Sequence, residues 1–145
     1  MEIGKLHVLF VHFPIALALS TVLADFLFVV TRKDFFRICG IYCLVLAAIA
    51  IIPTAFTGDN LLDMKRPQLK PDYLYIANIH ANLAVTSLVL VISAAVIRGF
   101  WKNHLKKFWL VIYSVLIVLI FGFISLTGHY GGMLAFGKDY LSGVF

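Results

Sequence analysis

Four runs of apolar residues, at about 6–31, 37–57, 74–97 and 108–128, decide most of what this chain can become. Each is close to or above the ~20 residues a helix needs to cross the hydrocarbon core of a bilayer. Backbone groups find no water there, so each run must satisfy its own hydrogen bonds, and a helix is the natural way to do so. Charged residues make up only 13% of the 145, about half the usual share of a soluble domain. A soluble chain this short could not hide so much apolar surface. The expected fold is all-α, a four-transmembrane-helix bundle forming one domain over residues 1–145. No internal repeat stands out, and no linker suggests a second domain.

The N-terminal MEIGK has no basic stretch and no small-residue cleavage site, so the first run is expected to stay in the mature protein. The connections differ in charge. Thr31–Arg37 and Arg98–Lys107 are short and basic, whereas Asp59–Asp72 is longer and mixed. Arg32, Lys33, Arg37, Arg98, Lys102, Lys106 and Lys107 fall on one side. Lys5, Lys65, Arg66, Lys70 and Lys138 fall on the other, with most of the acids. The Lys and Arg bias puts the first group in the cytoplasm and both termini outside. The net charge of +5 is thus an orientation signal, and no groove-reading element points to nucleic acid. Phe35, Phe36, Tyr73, Tyr75, Trp101, Phe108 and Trp109 gather at span ends as an aromatic belt. Cys39 and Cys43, one turn apart in an apolar run, read as small packing residues.

Ionisable groups are costly in hydrocarbon and default to functional candidates there. His7, His12, His80 and His129 all fall near the same ends of three spans, while His104 sits among lysines in a basic loop. His12, His80 and His129 each head or close a stripe of small residues, and the second run has its own: Gly40, Cys43, Ala47, Ala50 and Thr54. Such stripes let helices approach closely, and they also leave room for a flat cofactor. His7 and His12 are five residues apart and diverge by ~140° on a straight helix. Pro14 frees the carbonyl of Phe10, and Pro53 that of Ile49, which makes the histidine half of the bundle the irregular half. Neutral imidazole is a good axial ligand for haem iron, and bundle cores are common cofactor sites. A cluster of three or four histidines would suit zinc or copper instead.

Weaker polar signals read as structural. Asp25 is expected to pair with Lys33 or Arg37, Asn78 and Asn82 to bond between helices, and Asp59 to cap a loop turn after Thr57-Gly58. Gly131-Gly132 mark either a helix end or a place where something approaches the backbone. No hydrolase constellation and no phosphate-cradling glycine loop is present.

His7-x4-His12-Phe13-Pro14-Ile15-Ala16-Leu17, then Thr57-Gly58-Asp59, His80-Ala81-Asn82-Leu83 and Gly128-His129-Tyr130-Gly131-Gly132-Met133-Leu134, extend over nearly the whole chain. In these stretches it resembles a bacterial family of four-helix integral membrane proteins, domain of unknown function 2231. Val8 departs from the family's proline after the first histidine. The close through Gly137-Lys138-Asp139-Tyr140-Leu141 is similar to that of members fused to c-type cytochrome domains; others carry Rieske domains. The resemblance implies a bacterial inner membrane, a redox setting, and a cytochrome c, Rieske or respiratory-complex partner. Together these readings point to a small b-type haem-binding, electron-transfer subunit rather than a stand-alone enzyme. His12 and His80 form the preferred axial pair for the haem iron, and His7 and His129 either support it or hold a second haem. Two alternatives stand beside it: a non-haem zinc, copper or partner-binding subunit that uses the same histidines, and a structural scaffold. The lipid bilayer is a partner in every case, and a homo-oligomer remains open.

Overall fold

A computed structural model describes residues 3–100 and 107–139; the loop residues Trp101, Lys102, His104 and Lys106 lie outside them. A short 3-10 turn at Ile3–Leu6 leads into α1 (His7–Phe10) and α2 (His12–Thr31). Val11 between them keeps helical angles, φ −59 and ψ −30, so α1 and α2 run on as one rod. Then follow α3 (Asp34–Lys65), a 3-10 turn at Arg66–Gln68, α4 (Pro71–Phe100) and α5 (Lys107–Phe136). Four helical stretches are long and apolar enough to cross a membrane: His7–Thr31, Asp34–Gln68, Pro71–Phe100 and Phe108–Phe136.

Local chemistry explains the turns. Arg32 takes the left-handed conformation, φ 57, and closes α2 with its N–H on the Phe28 carbonyl at 2.8 Å. Asp34 then opens α3, where a negative charge suits the helix dipole, and Arg37 bonds to it at 2.9 Å. Gly137, φ +101, ends α5 with its N–H on Met133. Phe35, Tyr75 and Phe108 are exposed near helix ends, as an aromatic belt requires.

Two boundaries differ from the sequence reading. The second span does not leave the helix at Thr57-Gly58-Asp59; α3 continues to Lys65, and the long loop shrinks to the turn around Pro67. Asp59 therefore caps nothing. The fourth span continues through Gly131-Gly132 to Phe136. In both places the glycine marks a close approach by another side chain, not a stop.

The larger correction is that the chain does repeat. Adding 73 to a position in the hairpin of α2 and α3 gives its counterpart in the hairpin of α4 and α5. The buried set follows this rule: Ala18 and Val91, Thr21 and Ala94, Leu44 and Ile117, Ala47 and Ile120, Ile51 and Ile124, Thr54 and Thr127. Few of these pairs are identical, since any small or branched apolar residue fills such a position, so the sequence alone hides the duplication. The contacts obey it too. Each hairpin packs extensively within itself, and the hairpins meet along two seams, α3 with α4 and α2 with α5. The α2–α5 seam is the sparser. The core, including Leu44, Val91 and Ile120, lies on the axis between the hairpins.

Candidate functional site

At one end of the bundle each hairpin contributes one imidazole. His7 reaches across its hairpin to the Thr54 carbonyl, Nδ1 to O 3.0 Å; His80 reaches the Thr127 carbonyl, Nδ1 to O 2.9 Å. Both pairs span 47 positions, and each member stands 73 from its counterpart. A carbonyl can only accept, so Nδ1 carries the hydrogen in both rings, and in the neutral imidazole Nε2 keeps a free lone pair. The two rings lie edge to face, centroids 6.5 Å apart and planes at 81°.

Glycine makes this possible. A Cβ on Gly58 would stand 2.8 Å from Cε1 of His7, and one on Gly131 would stand 3.1 Å from Cε1 of His80. Each glycine lies one turn beyond the accepting carbonyl, so the Cε1 edge of the ring comes up against bare backbone. The Thr54 hydroxyl donates to the Ala50 carbonyl at 2.8 Å and lies 3.4 Å from the Phe10 carbonyl, which Pro14 relieves of its helical donor. Thr54 and Thr127 are buried, and Ser87 lies 3.4 Å from the Thr127 hydroxyl.

Not all four candidate histidines join this pair. His12 is exposed, on a face with the exposed Ala16 and Ser20, while α2 buries Pro14, Ala18, Thr21 and Ala24. His129 is also exposed, with its ring against Tyr130, centroids 5.5 Å apart. The partner that the structure gives His80 is therefore His7, not His12. Small-residue stripes misled here because lipid accepts either face of a helix: Ala and Ser can point outward as well as inward. The ~140° divergence of His7 from His12 is consistent with one facing in and the other out. Among the described residues, no group of three or more His, Cys, Asp or Glu side chains is placed to hold a metal.

The opposite end holds a second polar cluster at equivalent positions. Asp25 and Arg98 are 73 apart, as are Gly40 and Tyr113. The Tyr113 hydroxyl donates to Asp25 Oδ2 at 2.6 Å, and the Arg98 guanidinium sits 5.2 Å from the Tyr113 ring centre. Asp25 Oδ1 lies where a Cβ on Gly40 would come within 2.8 Å. Asp25 thus bonds across the bundle rather than to Lys33 or Arg37. Arg98 is no loop cation: it is 8% exposed inside α4, and its Nε has no acceptor. Asn78 and Asn82 are exposed on α4.

The profile of the family described as predicted membrane protein (DUF2231) matches residues 5–140. The chain belongs to the DUF2231 family. No curated protein and no solved structure matches it. In this DUF2231 protein the carbonyl acceptors, the two contact glycines and the Asp25–Tyr113–Arg98 cluster escaped sequence reading. The signal that could have found them is His, Thr and Gly recurring together at an offset of 73.

Proposed function

We propose that this membrane protein binds haem b between His7 and His80 and serves as an electron-transfer subunit. The observation that carries the reading is the matched pair of imidazoles, each fixed through Nδ1 and each with Nε2 free. A ligating histidine is oriented in this way, by a hydrogen bond from its other nitrogen to a carbonyl. With metal–nitrogen bonds of about 2.0–2.1 Å, two opposed imidazoles hold their ring centres roughly 6 Å apart. The ring centres of His7 and His80 stand 6.5 Å apart with their planes at 81°, so on this reading a ring turns to bring both Nε2 atoms onto one iron. Haem iron asks the protein for two axial ligands only, which is what the two hairpins supply. His12 and His129 then belong to the exposed surface. The Lys and Arg bias favours the histidine end on the outer side of the membrane, where this reading puts it within reach of a separate redox protein.

Pyridine haemochrome spectra of the purified protein test the reading. One haem per chain is expected, lost in His7→Ala and in His80→Ala and retained in His12→Ala. A preparation from haem-replete cells with no stoichiometric haem band overturns it. The two-ligand geometry also suits copper in its soft, low-coordinate state. One copper per chain by elemental analysis, without a Soret band, favours that second reading.

A further inference from the structure

We propose that the seam between α2 and α5 is a lateral gate, latched by the Asp25–Tyr113 hydrogen bond, through which a flat amphiphilic guest passes from the bilayer to the histidine pair. The proposal rests on the ligand reading above for the identity of the guest, but not for the opening of the seam. Duplication makes the α3–α4 and α2–α5 seams equivalent by construction, yet they are unequal. The α3–α4 seam carries the covalent turn at Arg66–Gln68 and the wider contact; the α2–α5 seam is sparse. His7–Thr54 and His80–Thr127 each stay within one hairpin. Among the described residues, the hydrogen bond that joins the two hairpins is Tyr113 to Asp25, and it crosses the sparse seam.

Arg98 gives the open state a resting place. Its buried Nε is a donor without an acceptor, beside the ring whose hydroxyl holds Asp25. When the seam parts and Tyr113 withdraws, the Asp25 carboxylate can turn to Arg98 instead of facing hydrocarbon bare. A charge left without a partner at that depth is costly, so this exchange lowers the cost of opening. On α2 the fully buried residues are small, Ala18 and Thr21, whereas α5 buries Tyr113, Ile117 and Ile120.

The test uses the full chain in vesicles, with Cys39 and Cys43 replaced by alanine and Ala18→Cys as the probe. A bilayer-soluble maleimide reports how often the seam opens, whether or not a guest binds. Tyr113→Phe, the conservative variant, is expected to speed labelling about tenfold, the ratio that loss of one hydrogen bond of ordinary worth gives. Asp25→Ala does the same, whereas His12→Ala, on the exposed face of α2, leaves the rate unchanged. Equal labelling with and without the Tyr113 hydroxyl overturns the gate. Guest entry is then followed by haemin uptake. A disulfide between Asp25→Cys and Tyr113→Cys slows uptake until reduced, and one between Ala48→Cys and Ala95→Cys across the other seam does not. Equal slowing by both disulfides also overturns the route. If no variant takes up haemin at all, the ligand reading falls, while the labelling rates still decide whether the seam opens.

Discussion

The two ends of the bundle are built on the same duplicated positions and have gone opposite ways. At the histidine end the counterparts are identical: His with His, Thr with Thr, Gly with Gly. At the arginine end they are complementary: Asp25 with Arg98, and Gly40 with Tyr113. Identical residues at equivalent positions make two equal arms that face each other, which suits one guest held from both sides. Complementary residues make a bond between unlike partners, which suits closing the hairpins on each other. On the proposed reading, the contrast separates binding from assembly.

Substitutions can break or sharpen this contrast. The largest effect is expected from His7→Ala and His80→Ala. Each removes one of two equal arms, so each should abolish the bis-imidazole absorption spectrum, while His12→Ala and His129→Ala leave it intact. Unequal losses from the first two would show that the arms are not equivalent. Next comes Asp25→Ala, which leaves the buried Tyr113 hydroxyl without its acceptor. An unsatisfied buried donor costs about 1–3 kcal/mol, read as a lower midpoint in detergent-denaturant unfolding, and the histidine end should not share this dependence. Gly58→Ala and Gly131→Ala follow. Each pushes a methyl into an imidazole, an overpacking that costs about 1–3 kcal/mol; the effect should be larger at Gly58, where the contact is 2.8 Å rather than 3.1 Å. The smallest effect is expected from Thr127→Val, a change of roughly 1 kcal/mol or less. The backbone carbonyl, not the hydroxyl, accepts from His80, so the absorption spectrum should survive.

The four spans were legible because length and apolar content alone decide them. His80 was legible because an imidazole in hydrocarbon stands out on any reading. His7 was underweighted because it precedes the proline and the long rod, where a sequence suggests a terminus rather than a core. Its acceptor is a backbone carbonyl 47 residues away, and a carbonyl leaves no mark on the sequence. Gly58 and Gly131 read as breaks because glycine usually punctuates a helix; here each helix continues, and the missing Cβ serves a neighbour. Arg98 read as a loop cation because its burial beside the Tyr113 ring leaves no mark on the sequence. Asp25 sought its partner nearby in sequence and found it 88 residues on.

The continuation of α3 beyond Gly58 has a reach that the bilayer does not need. Its 32 residues extend about 48 Å at 1.5 Å per residue, against a hydrocarbon thickness of about 30 Å. The surplus at the histidine end, Asp59 to Lys65, continues as helix bearing Asp59, Asn60 and Asp63, and Gly4 of the N-terminal turn lies within contact of Leu61 there. A water-soluble visitor would thus meet ordered helix before it met lipid.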